Sequence, residues 1–291
     1  MLVAGSSMAD RNLLARAAMW LRDAPENMGL IRNEAKPGFF DQYPRFYSTS
    51  VVNATPERLN ERYRALIGSN EHLIRGKTIL DLASHDGRWS FAALKTGARH
   101  VTGIEGRSNL VESAIATAQE YGIGSERYRF IAGDVFDQLD LVRPDSIDTV
   151  FCFGFLYHTP HHMLLLSKIA RLNPKHLIVD TAIIPSTTDC VIRLVKERVT
   201  GDGNSIVGQP GDPLHSLVGR PSRSALEMML TSFGWSFSYY DWHRARIKAW
   251  RDLRDYRDGW RVSLAATRSG GDVRQPALTP PPNGDQAKAG A

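Results

Sequence analysis

The sequence has little cysteine. Cys152 and Cys190 are the only two in 291 residues, and Cys152 falls in a stretch patterned like a core strand. That argues against a disulfide framework and against a thiolate metal cluster. Long apolar runs are also missing, and none approaches the roughly 20 residues needed to span a bilayer. Residues 1–29 lack the apolar core of a secretory leader and carry charges throughout, so a reducing, cytoplasmic setting is expected. Charge of one sign is absent: 36 basic residues face 31 acidic ones, a net charge of +5 with histidine neutral. This mild excess is compatible with an anionic substrate and does not by itself require nucleic acid. There is no internal repeat and no heptad run, which excludes solenoids and long coiled coils. What remains, 42% hydrophobic and 23% charged residues, suits one large globular domain with an added arm or cap.

The organising stretch runs from Lys77 to Glu105. Thr78-Ile79-Leu80-Asp81-Leu82 reads as a short buried strand tipped by an acid, followed at once by Ala83, Ser84, His85, Asp86 and Gly87. Trp89, Phe91, Ala92, Ala93 and Leu94 form a compact apolar helix stopped by Gly97, and His100–Ile104 is a second strand ending on Glu105. Strand, tight turn, helix and acid-tipped strand is the first half of a nucleotide-binding unit, in which the second acid reads ribose hydroxyls. The turn lacks the G-x-G-x-x-G that admits a pyrophosphate, and Asp81 and Asp86 would repel phosphate. An acidic turn suits a cationic ligand instead.

The segment resembles motif I of the class I S-adenosylmethionine-dependent methyltransferases, an acid followed by three alternating glycines. Asp81 and Gly87 match that motif, whereas Ala83 and His85 stand in for its first two glycines. The resemblance implies a doubly wound α/β fold, with a seven-stranded, mostly parallel sheet and an antiparallel edge pair. It also implies S-adenosylmethionine as cofactor, held by Asp81, Ala83, Ser84 and Gly87 of the first turn. Glu105 and Gly106 follow the second strand, Asp134 and Val135 the third, and Phe153 closes the fourth. A branched residue at Gly87 is expected to meet the methionine portion.

Read in order, the chain supports three regions: a helical arm over residues 1–70, the cofactor-binding domain over 71–268, and a Gly/Pro/Gln/Asp-rich tail over 269–291. Ala9–Leu21 has the pattern of an amphipathic helix, and Thr55-Pro56 is a good helix start. Tyr128–Ala132, Asp148–Phe153 and Leu177–Thr181 read as further parallel strands. Trp235–Trp242 and Trp260–Ala266 read as the antiparallel pair. From Pro185 to Pro221 the chain reads as irregular, an insertion expected to act as a substrate lid.

Leu156-Tyr157-His158 follows the fourth strand, at the sheet edge where α/β folds place their chemistry. Methyl transfer to oxygen needs a proton removed, and His158 is a histidine suited to that task, with Tyr157 beside it. Tyr47 and Arg62 from the arm, with His161 and His215, complete the substrate-binding candidates. The spacing of His161, His162, Asp180 and His215 permits a divalent metal, although no tight ligand motif is present. The acceptor expected is a small polar molecule such as a sugar or secondary metabolite, O-methylated. Leu156-Tyr157-His158 and the Pro221–Ala225 helix start also resemble the carboxymethyltransferase of tRNA wobble uridine, which leaves a nucleic-acid acceptor as the alternative.

Overall fold

The computed structural model describes residues 37–49, 55–186, 189–199, 208 and 210–268. The expected helix at Ala9–Leu21 and the tail from residue 269 lie outside the described residues. Five parallel strands, β1 (Thr78–Leu82), β2 (His100–Glu105), β3 (Tyr128–Ala132), β4 (Thr149–Phe153) and β5 (His176–Ala182), form the body of one sheet. These strands are short and apolar because both faces are covered by helices. Two further strands, β8 (Trp235–Tyr239) and β9 (Arg261–Arg268), run antiparallel at one edge, giving the order β3-β2-β1-β4-β5-β9-β8. Strand order reverses between β1 and β4. The crevice outside their carboxyl ends is therefore the place where such a sheet binds ligands.

Three helices cover one face: α1 (Pro56–Leu66), α2 (Arg88–Thr96) and α3 (Ser108–Glu120). Thr55 caps α1 by accepting from the Arg58 N–H, and Pro56 occupies its first turn. Phe40, Phe46 and Leu59 from the expected arm share one buried cluster with Ile79, Trp89 and Phe91. The arm from Gly38 onward is thus part of the sheet's own core. On the other face lie α4 (Val135–Leu141), α5 (His162–Arg171) and α6 (Arg223–Ser232), packed through Leu139, Leu165, Ile169 and Leu226. No helix among the described residues is long and apolar enough to cross a membrane.

The insertion corrects the irregular reading. It carries a separate antiparallel hairpin, β6 (Ile192–Arg198) and β7 (His215–Pro221), with Val195 opposite Val218 and Glu197 opposite Ser216. The hairpin is anchored beside β4's exit: the Gly219 N–H donates to the Thr159 carbonyl at 3.2 Å, and the His162 ring bonds the Gly219 carbonyl at 3.0 Å.

Candidate active site

The β1–α2 turn is built from alternating left-handed residues. Ala83 has φ 52°, His85 φ 53° and Gly87 φ 73°. This backbone region favours glycine, and each non-glycine there costs about 1–2 kcal/mol. The two departures from the glycine pattern thus keep the conformation that glycine normally supplies. Gly87 itself is required by its neighbours. A Cβ there would come within 2.7 Å of the Ala114 Cβ and 3.1 Å of the Phe130 ring. Within the protein itself, the obstacle to a branched residue is α3 and β3.

Asp81 is 1% exposed and accepts a hydrogen bond from Ser90 Oγ at 2.7 Å. Burial pushes its carboxyl up to about 7, and the charge of Glu105 adds to the rise. Asp86 goes the other way: burial would raise it, but Arg88, bonded at 2.7 and 2.6 Å, holds it well below the usual carboxylate range. Thr49, at the end of the arm's helical turn, donates to the same carboxylate. Glu105 is buried, and its two oxygens accept from the His85 N–H at 2.9 Å and the Arg107 N–H at 3.2 Å. An ionised carboxylate has about four acceptor sites, so roughly half of them remain for ribose hydroxyls. Asp134 caps α4 through one oxygen, which accepts from Phe136 N–H at 2.7 Å and Asp137 N–H at 3.3 Å. Val135 and Phe153 are buried in the core, and Gly106 follows Glu105 at the end of β2.

These residues fit a sulfonium nucleoside. Ser84 Oγ is buried without a hydrogen-bond partner, a polar atom a ligand could satisfy, whereas His85 Nδ1 lies 3.4 Å from Asp86 Oδ1. With Asp86 neutralised by Arg88, the acids left at the strand tips are Asp81 and Glu105, a pairing that favours a cation. A pH dependence follows. The unfolded chain ionises Asp81 near 3.8, whereas the fold keeps its proton to about 7. Stability without ligand should fall as pH rises across that interval. A ligand ammonium over the β1 tip favours the ionised carboxylate, so affinity for S-adenosylhomocysteine should rise between pH 5.5 and 8. Calorimetric titration at those two values checks it. Equal affinities would uncouple Asp81 from the ligand.

The acceptor side lies past β4. Gly154, with φ 82°, turns the chain into a short helical turn at Leu156–His158. His158 Nδ1 lies 2.7 Å from Glu197 Oε2 of the hairpin, and the rings of Tyr157 and His158 are 4.0 Å apart. Arg261, at the start of β9, places its guanidinium 5.2 Å from the centre of the Tyr157 ring. Behind it, fully buried Asp180 at the end of β5 accepts from Arg261 Nε at 2.5 Å, Tyr256 OH at 2.6 Å and Ser263 Oγ at 3.2 Å. Arg62 reaches the same carboxylate at 3.6 Å, lies over Trp89 at 5.0 Å, and its Nε is buried without a partner.

Tyr157 and His158 sit together past β4, and Arg62 reaches the Asp180 carboxylate that also holds Arg261 beside Tyr157. The other candidates are engaged elsewhere. The Tyr47 hydroxyl donates to Asp41, His215 bonds Asp212, and His161 stands edge-on to Phe136 at 6.0 Å. No group of three or more His, Cys, Asp or Glu side chains suited to a metal occurs among the described residues, so His161, His162, Asp180 and His215 are not brought together. Sequence reasoning missed Glu197 and Arg261. Glu197 lies in the stretch read as irregular. Arg261 is placed by an antiparallel register, opposite Ala182, that the sequence does not specify.

Residues 73–196 match a family model described as a methyltransferase domain. The chain is similar to a tRNA U34 carboxymethyltransferase of Nautilia profundicola, 29% identical over 135 residues, 43% of this chain and 42% of that protein. It is also similar to a ribosomal protein arginine N-methyltransferase of Schizosaccharomyces pombe, 34% identical over 77 residues, 26% of this chain and 14% of that one. The matches thus span less than half the length of either relative. Among solved structures, the N-terminal domain of EvdMO1, crystallised with S-adenosylhomocysteine and D-fucose, shares the fold with a TM-score of 0.50. Identity to it is 18%, over 91% of this chain and 100% of that one.

Proposed function

We propose that this chain is a class I S-adenosylmethionine-dependent methyltransferase that moves the methyl group of that cofactor to a hydroxyl oxygen of a small polar acceptor bearing a negative charge; the match of residues 73–196 to a methyltransferase-domain model supports the first part of that reading. Asp81, Ser84, Glu105 and Asp134 hold the cofactor, whose sulfonium supplies an electrophilic methyl group. The rest is alignment, exclusion of water and removal of one proton.

The observation that carries this reading is the His158–Glu197 pair. A carboxylate 2.7 Å from Nδ1 selects the tautomer protonated there and leaves Nε2 as the basic nitrogen. An acceptor hydroxyl within hydrogen-bond reach of Nε2 loses its proton as the new C–O bond forms, and Glu197 stabilises the resulting imidazolium. The charge of the acceptor is read from the neighbouring cluster. Two guanidiniums, Arg62 and Arg261, share the single carboxylate of Asp180, and their side chains are only 14% and 9% exposed. Two guanidiniums sharing one carboxylate leave this cluster with one positive charge in excess, which an anionic substituent on the ligand would offset. That the EvdMO1 domain was crystallised in the presence of D-fucose as well as S-adenosylhomocysteine is consistent with a polyhydroxylated small molecule.

A second reading, transfer to tRNA wobble uridine, is favoured by Leu156-Tyr157-His158 and by the Nautilia relative. Arg193 and Arg220 also sit directly opposite each other on the exposed hairpin, where a phosphate would relieve their repulsion. Incubation with methyl-labelled cofactor separates the two. Hydroxylated sugar acids or sugar phosphates should be labelled and the parent neutral sugars should not. Label in bulk tRNA with none in the small acids would overturn the small-acceptor reading.

A further inference from the structure

We infer that Gly219 and His162 are positioning residues for the His158–Glu197 pair, an inference that rests on the reading of that pair given above. Together they form the seat that holds the hairpin against the turn carrying His158. Glu197 belongs to the hairpin, whereas His158 follows the fourth strand of the main sheet. The hairpin pairs with no strand of that sheet, so the 2.7 Å contact depends on how the hairpin is held. Its root is tied by the Ile184 N–H, which donates to the Pro221 carbonyl at 2.9 Å. Beyond the root, both backbone groups of Gly219 are taken by the segment just after His158. Its N–H donates to Thr159, the next residue, and its carbonyl accepts from His162, which opens α5.

The fit at Gly219 is set by space. Its φ lies outside the left-handed region, so the backbone itself would accept another residue. A Cβ there, however, would come within 2.6 Å of His162 Cε1, 3.0 Å of Ile192 Cγ2 and 3.3 Å of the Thr159 carbonyl oxygen. His162 is specialised from the other side. It is 1% exposed, and its Nδ1 is buried without a hydrogen-bond partner. A carbonyl only accepts, so the ring's one proton sits on Nε2, and burial favours that neutral form. An apolar side chain of similar size would avoid the cost of the unpaired nitrogen. What the imidazole adds is one bond, and that bond goes to the hairpin. Along the strands, Gly219 faces Leu194 and Glu197 faces Ser216, about 10 Å further on. A shift of about 1 Å at the seat, passed along so short a ladder, takes Glu197 out of hydrogen-bond range of His158.

The test reads the tautomer of His158 by magnetic resonance, which needs no acceptor. In wild type with isotope-labelled histidine, proton–nitrogen correlation at about pH 8, where a free histidine is neutral, should show His158 protonated on Nδ1, towards Glu197. His158→Gln identifies the signal. In Gly219→Ala that signature should be lost, the released ring reverting to a mixture of tautomers. Removing the obstacle should bring it back at least in part: with His162→Ala added, the new methyl group has room and the N–H at 219 still reaches Thr159. A seat that merely braced the fold would lower the melting temperature and leave the tautomer as it was. Should Gly219→Ala not fold, two substitutions at His162 make the same comparison. His162→Gln keeps an N–H donor and should retain the signature, whereas His162→Leu lacks one and should lose it. An unchanged tautomer in folded Gly219→Ala, no return in the double variant, or no difference between the two His162 variants would overturn the inference. Wild type without Nδ1 protonation at His158 would instead remove the pair itself, and the general-base reading with it.

Discussion

Replacing Asp180 with alanine should destabilise the protein by about 3–5 kcal/mol, the usual cost of removing one partner from a buried ion pair. The carboxylate is fully buried and takes bonds from Arg261, Tyr256 and Ser263, with Arg62 at 3.6 Å. Without it two guanidiniums would face each other across a cavity. Burial alone would raise the Asp180 carboxyl, but Arg261 and Arg62 outweigh burial and hold it below its ordinary value. Its contribution is thus present above the unfolded carboxylate range and is lost as pH falls through the depressed value. At neutral pH the melting temperature of Asp180→Ala should drop by roughly 6–20 °C for a domain of this size. Asp180→Asn should fall less in a denaturant titration, because it keeps an acceptor for Tyr256. A drop below about 3 °C for the alanine variant would mean that the cluster is not the brace described here.

His158→Ala should lower turnover by about 10²–10⁴-fold, the range for loss of a general base, while cofactor affinity stays nearly intact. The competing role, a contact that holds the turn after β4, predicts the opposite pattern of lost stability and retained turnover. The ring bonds Glu197 of the hairpin and not the Thr159-Pro160 backbone, which favours the chemical role. Glu197→Gln should lower turnover less, since the histidine remains and only its orientation and charge stabilisation suffer. A folded His158→Ala protein with near-normal turnover would remove His158 from the mechanism.

The parallel sheet is legible in the sequence because a strand covered on both faces is a short apolar run, and each of the five predicted parallel strands carries an acid or a glycine within one residue of its carboxyl end. Asp81, Glu105 and Asp134 are readable for that reason, as is the position of Leu156-Tyr157-His158. The hairpin is not readable. All residues of Ile192–Arg198 are exposed or half-buried, so alternation has no covered face to reveal it. The reason Gly87 must be glycine is likewise hidden, since Ala114 and Phe130 are brought beside it only by the fold. The Arg62–Asp180–Arg261 cluster joins α1, β5 and β9, three elements far apart along the chain. Its sequence signal is three ordinary charged residues, and only burial makes them exceptional.

If Asp81 and Glu105 at the β1 and β2 tips hold a sulfonium nucleoside, calorimetric titration of S-adenosylhomocysteine into wild-type protein and Glu105→Ala will show it. Wild type should bind. The variant should bind more weakly by about 2–3 kcal/mol, roughly 30- to 150-fold, as expected for charge-assisted bonds to ribose hydroxyls. Equal affinity in the two proteins, or no binding by wild type, would mean that these two acids do not hold the cofactor.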